Sequence, residues 1–482
     1  MRTAGEPAQR GGAVLAGRPA GAFRGRGAAM VLADMAVSGA TWSGHMSCGT
    51  PRSYGVRNHP PFREPVTMRR SSTSSTSRSR SVPALALLAS AVLLAGLTAC
   101  SKAGTAGSSP DGGKGGSAAV DVGLVYSRSG PLAAYGKQYL EGFNAGLAYA
   151  THGTGKAAGH EIRVTEQDDA GDPAKAVAEA KTLIGKGTKI IAGTTDSGVS
   201  LQLAPLAAQN RVLYIAGPAA TDALTGLNAY TFRSGRQSYQ DIMTAGSLLG
   251  DSHGKKVVVL TQNSAFGQAN VAAVKAVLGD GQGAAVDSVL APPSAGDLTP
   301  FAQQVKSKKP DLVFVAWAGA SAPALWTALD QQGVVGSTKV VTGLAGIASY
   351  PLFGAAGSKV SFLAHYFPGA GNNPVEKAML DGITKAGGTP DLFSPDGFTA
   401  AQMIVHAVEA GSATDPTAMA KALEGWSFQG PKGDDQIRAV DHALLQPMFT
   451  ATLTGTGAAA KPQLDSRLPK DAVTPPSKQM AG

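Results

Sequence analysis

Cysteine is nearly absent: the 482 residues hold two, Cys48 and Cys100. That excludes a disulfide framework and a four-cysteine zinc site. Charge is sparse as well, 16% of residues against 43% hydrophobic, so the bulk of the chain can build cores and is not of disordered composition. Lysine is missing from residues 1–99, which carry 12 Arg and three acids, Glu6, Asp34 and Glu64. From totals of 42 basic and 33 acidic residues, 30 of each are left in residues 100–482, so the +9 net charge belongs to the first segment alone. A neutral body gives no nucleic-acid signal. There is no GxSxG, no HExxH, no Walker motif and no GxGxxG after a strand, the patterns that would carry hydrolytic, metal or nucleotide chemistry. Among the eight histidines, no two stand at metal-ligand spacing on one helix; His406 and His442 read as structural. Neither a metal, a cofactor nor an enzymatic activity is expected.

What is abundant is glycine, 62 residues, which predicts many tight turns or flexible segments. The length predicts two or three domains. Residues 1–67, rich in Gly, Ala, Arg and Pro without periodicity, read as a disordered extension or a mis-assigned start. At Met68 the character changes. Met68-Arg69-Arg70 opens a basic, Ser/Thr-rich run to Arg80, and Val82 to Ala99 carries no charge. A basic region followed by an apolar region and small residues is a secretory signal, read here as residues 68–99. Leu97-Thr98-Ala99-Cys100 resembles the bacterial lipobox at all four positions, which implies a diacylated Cys100 as the membrane anchor; two acyl chains suffice for stable attachment. The competing reading is a membrane-spanning helix, since 18 uncharged residues are nearly enough. Residues 101–119 are Gly/Ser-rich and read as a tether reaching roughly 25 Å.

From Val120 onward short β-rich runs alternate with helical patterns. Strands are predicted at 120–126, 162–165, 189–193 and 212–215, and again from 256 after a restart beyond Arg233. Leu140, Phe143 and Leu147 mark one helical face; Asp172-Pro173 is an N-cap followed by proline at the first helical position. Strand–helix repetition predicts an α/β protein with parallel sheets and crossover helices. Tyr135-Gly136 and Phe266-Gly267 both follow the first strand of a half. Ligands bind at such carboxyl ends, and two facing lobes would form a cleft there.

The stretches GLVYSRSGPLAAYGKQYLEGFNAGL, EQDDAGDPAKAVAEAKTLI and IIAGTTDSGVSLQLAPLAAQNRVLYIAGPAATDALT, with TQNSAFGQ, KSKKPDLVFVAWAGASAPAL and DGFTAAQMIVHAVEAG, resemble the branched-chain amino-acid-binding family in order and spacing, to about residue 455. These are solute-binding lipoproteins of ABC importers. The resemblance implies the type I periplasmic fold: two Rossmann-like lobes joined by a three-crossing hinge. The crossings are expected near 234–237, 366–368 and 425–431. Residues 120–236 and 367–430 would form the first lobe, 237–366 and 431–460 the second, and 461–482 a loose tail.

By that resemblance the ligand carboxylate meets Ser197, the backbone of Ala219 and Thr221, while Tyr135, Phe266 and Trp317 line the cleft. Hydroxyls and helix N-terminal amides suit an anion. Ser197 and Thr221 also read as ordinary N-caps, and Phe266 and Trp317 as core packing beneath a loop. Ala345 stands where the family has the glutamate that receives a ligand ammonium. Either another acid substitutes, with Asp169 and Asp222 the nearest candidates and solvated turn residues the alternative, or the ligand lacks an amine, as an aromatic acid or an amide does. The implied partners are a small carboxylate, an ABC permease and its ATPase, and the membrane through Cys100; a monomer is expected. A ligand-sensing module of the same fold is the other functional reading, and a secreted hydrolase a third.

Overall fold

The computed structural model describes residues 118–481. The expected signal segment, Cys100, the extension before it and nearly all of the tether lie outside the described residues.

The first lobe is built from β1 (Val120–Tyr126), α1 (Ala133–Ala150), β2 (Lys156–Ala157), β3 (His160–Asp168), α2 (Pro173–Gly185), β4 (Ile190–Gly193), α3 (Ser197–Gln209), β5 (Leu213–Ala216) and β6 (Thr231–Arg233). Its sheet runs β2-β3-β1-β4-β5-β6, parallel from β3 to β6. Residues alternate faces at period two. In β1, Val122 and Leu124 enter one core layer and Val125 the other. Asp172 caps α2 by accepting from the Ala174 and Lys175 amides, with Pro173 at the first helical position.

The chain then passes through 234–237 into the second lobe. There follow α4 (Ser238–Leu249), β7 (Lys256–Gln262), α5 (Ala265–Val274), β8 (Ala285–Ala291), α6 (Thr299–Ser307), β9 (Leu312–Ala316), α7 (Ala322–Gln331), α8 (Val334–Ser337), β10 (Lys339–Gly343) and β11 (Val360–Ala364). The parallel order β8-β7-β9-β10-β11 repeats the winding of the first lobe. Val258 and Leu260 face one core layer, Val257 and Val259 the other.

The return through 365–373 brings α9 (Pro374–Lys385), α10 (Ser394–His406) and α11 (Pro416–Leu423) back beside the first lobe. α10 lies so close along α1 that a Cβ on Gly142 would stand 1.9 Å from the Ser394 carbonyl oxygen, and one on Gly397 1.9 Å from that of Tyr139. Here glycine serves backbone approach rather than flexibility. His406 stacks on Trp426 with centroids 3.9 Å apart, and His442 on Phe232 at 3.8 Å, both as structural residues.

Two boundaries differ from those expected. Residues 431–445 do not belong to the second lobe. They complete a small antiparallel sheet, β12 (Ser427–Gly430), β13 (Gly433–Ile437) and β14 (Leu444–Leu445). Ile437 and Leu444 bury in the core of the first lobe, with Trp426 and Phe428 packed against it. The last crossing therefore falls at 446–447, just before β15 (Met448–Thr454). Nor are residues 461–482 a loose tail. β16 (Lys461–Leu468) pairs antiparallel with β15, and Val473 is fully buried. The Pro475 and Pro476 carbonyls then accept from the Arg438 guanidinium, and Lys478 donates its amide to Asp441. Backbone pairing and the half-buried Arg438 order a segment whose side chains are mostly exposed.

Candidate functional site

A cavity of about 590 Å³ lies between the lobes. Its walls are the loops leaving the carboxyl ends of β1, β4 and β5 on one side and of β7, β9, β10 and β11 on the other. In doubly wound sheets these ends are where backbone amides and helix N-termini converge.

On the first-lobe wall, Asp196 caps α3 by accepting from the Val199 amide at 2.9 Å. Ser197 is the first residue of that helix and lines the cavity. Its hydroxyl oxygen accepts from the Thr221 amide at 3.3 Å, which leaves the hydroxyl proton to donate elsewhere. Tyr135 lines the same wall, edge-on to Phe393 with centroids 4.8 Å apart.

On the second-lobe wall stand Phe266, in the first turn of α5, and Trp317, just past β9. The Trp317 indole donates to the Ser321 hydroxyl at 3.0 Å, so its ring is held as a fixed wall. Ala345 lines the cavity as well. Phe266 brings an aromatic face without a hydroxyl.

Four expected residues are not on the cavity wall. Ala219 and Thr221 are turned into the protein by Arg233, a fully buried guanidinium. Its Nη1 donates to the Thr221 carbonyl at 2.9 Å and its Nη2 to those of Ala219 at 2.8 Å and Arg236 at 2.9 Å. The Ala219 amide is already bonded to the Thr194 carbonyl, and the Thr221 hydroxyl caps the short turn that follows it. Ala220 lines the cavity in their place. Burial pushes the Arg233 guanidinium down to about 10. Asp169 is fully buried and tied to Ser127, Thr194 and the Gly171 amide. It knits the ends of β1, β3 and β4 together. The Asp222 carboxylate accepts from the Tyr239 amide at 3.0 Å, securing the entry to α4. Both acids are bonded to groups of the protein itself, and neither lines the cavity.

The sequence reading missed a polar group on the wall: Arg236, Asp241 and His365. Arg236 Nε is 3.2 Å from Asp241 Oδ2, and Arg236 Nη1 donates to the Pro218 carbonyl at 2.8 Å. The guanidinium lies 5.6 Å over the Phe393 ring, within cation–π range. His365 packs on the same ring at 4.9 Å. Burial, then the charges of Arg236 and Lys432, hold the His365 imidazole well below its usual range, so it is neutral. Burial raises the Asp241 carboxyl, while Arg236 and Lys432 pull it down. The only signal for this group in the sequence was an Arg and an Asp five residues apart across an expected crossing. His365 and Phe393 come from distant segments.

The lobes touch beside the cavity. Asp391, between α9 and α10, accepts from the Ile347 amide of the second lobe at 3.1 Å and from the Gln138 side chain of α1 at 2.8 Å. The Tyr135 hydroxyl bonds to the Gly319 backbone. Among the described residues no group of three or more His, Cys, Asp or Glu is placed to hold a metal ion, and no helix is long and apolar enough to cross a membrane.

A profile of the periplasmic binding protein family matches residues 119–458. The Leu/Ile/Val-binding protein BraC3 of Rhizobium johnstonii is 26% identical over 312 residues, covering 63% of this chain and 83% of that protein. An ABC-type branched-chain amino acid transporter protein of Rhodopseudomonas palustris CGA009, of known structure, is 31% identical with a TM-score of 0.62, covering 75% of this chain and 99% of that one. A solute-binding protein of Rhodopseudomonas palustris HaA2, solved in complex with p-hydroxybenzoic acid, superposes with a TM-score of 0.67 at 24% identity, over 73% of this chain and 97% of that one. The chain belongs to the periplasmic binding protein family, with the type I fold of the extracytoplasmic solute-binding components of ABC transporters.

Proposed function

We propose that the protein captures a small organic carboxylate between its lobes and presents it to an ABC permease, held at the membrane through a diacylated Cys100. The observation that carries the ligand class is Arg236, the one arginine or lysine among the described residues lining the cavity, which is also lined by Ser197 at the N-terminus of α3. A guanidinium, a hydroxyl donor and helix amides together favour an anion. The aromatic wall of Tyr135, Phe266 and Trp317 suits an apolar body attached to it.

Calorimetry on residues 101–482, unfolded and refolded to remove carried-over solute, tests this with branched-chain and aromatic carboxylates. At least one is expected to bind in the micromolar range or tighter. Ser197→Ala should weaken it about tenfold, the worth of one charge-assisted hydrogen bond. Trp317→Ala should cost ten- to hundredfold, as loss of a buried aromatic contact does. Binding unaffected by both variants would place the ligand elsewhere. For the anchor, Cys100→Ala should abolish labelling by a radioactive fatty acid in cells.

A further inference from the structure

Beyond the hinge crossings at 234–237, 365–373 and 446–447, the C-terminal segment spans the lobes once more. Its first part is anchored in the second lobe, where β16 pairs with β15. Arg467 on that strand already reaches across: Nη1 donates to the Gly371 carbonyl in the second crossing at 3.2 Å, and Nη2 to the Lys432 carbonyl of the first-lobe hairpin at 2.7 Å. Residues Lys470–Val473 then form a 3-10 turn against α4 of the second lobe and β14 of the first, and Val473 is fully buried there. The last part is anchored in the first lobe. The Pro475 and Pro476 carbonyls accept from Arg438 at 2.7 and 3.2 Å. Lys478 donates its amide to Asp441 at 2.9 Å and its Nζ to the Asp222 carbonyl at 2.7 Å. The Ala481 amide donates to the Gly226 carbonyl at 2.9 Å.

We propose that residues 469–481 are a strap that holds the lobes in the arrangement described here and limits how far they part. The connection between its two anchorages is short. Four residues in a 3-10 turn span about 8 Å, against roughly 13 Å fully extended. The turn can therefore yield only about 5 Å before it is unwound, and unwinding it takes Val473 out of its buried site. Wider separation of the anchorages must break the bonds to Arg438, Asp441, Asp222 and Gly226. The strap thus acts on the hinge itself, whatever occupies the cleft, and sets how readily the cleft opens to solvent.

The test measures the distance between the lobes in the refolded, solute-free protein. Residues 101–482 contain no cysteine, so labels can be placed at will. Ala174, in the first turn of α2, and Ser294, after β8, are both exposed. They stand close in sequence to Gly171 and Pro293, which line the cavity from opposite lobes. Ala174→Cys with Ser294→Cys, spin-labelled, reports the distance distribution by double electron–electron resonance. Two strap variants are compared in this background. One lacks residues 475–482. The other keeps both anchorages but carries a flexible Gly/Ser run after Thr474, which leaves the connection slack. The unmutated protein should show one dominant, short-distance population. Both variants should raise the longer-distance fraction severalfold, with far-ultraviolet circular dichroism unchanged. The inference is overturned if the slackened chain keeps the distances of the unmutated protein, whatever the deletion does, since the segment would then act by packing and not as a link. It is overturned equally if the unmutated protein is already broadly open, or if the deleted chain folds and keeps the short distance. The slackened variant decides the matter even if the deletion fails to fold.

Discussion

At the scale of single residues, what a side chain does here is set by which backbone groups are left for it to satisfy. Ser197 and Thr221 are both hydroxyls at strand–helix turns. Each accepts one backbone amide, Thr221 from Ala223 and Ser197 from Thr221, and each keeps a proton, but only Ser197 lines the cavity. Asp169 and Asp241 are both buried acids, yet both Asp169 oxygens are bonded and one Asp241 oxygen is not. Gly142 gives a prediction at this scale. A methyl group there meets the Ser394 carbonyl oxygen at 1.9 Å, and rigid backbone cannot yield as a flexible side chain would. Gly142→Ala should destabilise the protein by about 1–3 kcal/mol, despite the better helix propensity of alanine. A urea midpoint equal to or above that of the unmutated protein would contradict this.

Among elements, the C-terminal segment joins parts of both lobes. β16 extends the second-lobe sheet. Residues beyond it reach the first lobe, where Lys478 Nζ donates to the Asp222 carbonyl and the Ala481 amide to that of Gly226. Deleting residues 461–482 should strip the outer edge of β15, uncover Val473's site and leave the Arg438–Asp441 pair without its proline carbonyls. The expected result is a lower urea midpoint with the far-ultraviolet circular dichroism of the parallel sheets retained. Little in KPQLDSRL signals this strand. Six of its eight residues are exposed, and an edge strand solvated on both faces lacks the apolar alternation that marks a half-buried one. The parallel strands, buried on both faces, were legible as continuous apolar runs for the opposite reason.

For the whole molecule, the contacts beside the cavity hold the two lobes together. Asp391 spans them through Ile347 and Gln138. Asp391→Ala should shift the population towards an open form and weaken ligand binding about three- to tenfold, since apparent affinity falls with the fraction of closed protein. Small-angle scattering of the ligand-free variant should report a larger radius of gyration. Charges also concentrate where the chain passes between lobes. Asp396 lies against the Gly235 backbone, and burial, only partly offset by Lys432, Arg236 and Arg233, pushes its carboxyl up to about 6. Between the usual carboxylate range near pH 4 and pH 6, the folded protein holds this proton and the unfolded chain has released it. The favourable term is thus present in acid and is lost as pH rises through about 6. Neutral His365 acts in the opposite direction below pH 6.5, where the unfolded chain gains a proton and the folded protein does not. Comparing the unmutated protein with Asp396→Asn cancels the histidine. The variant should be the more stable at pH 7, by on the order of 2 kcal/mol, and the difference should shrink towards pH 5. A difference independent of pH would mean that Asp396 stays ionised throughout.

The amino-acid order was sufficient for the α/β class, the repeated winding of two lobes and the placing of Tyr135, Ser197, Phe266 and Trp317 near a common cleft. Each of these rests on local periodicity, on turns that end strands, or on the resemblance carried by nearby motifs. Only the tertiary structure decided which acid faces the cavity, where the last crossing falls and that the C-terminal segment is ordered. Those depend on Arg233 drawing in the 219–221 loop, on Arg236, His365 and Phe393 meeting from separate segments, and on β16 finding an edge. Such pairings are long-range and low in apolar content, and so leave no period in the sequence from which to read them.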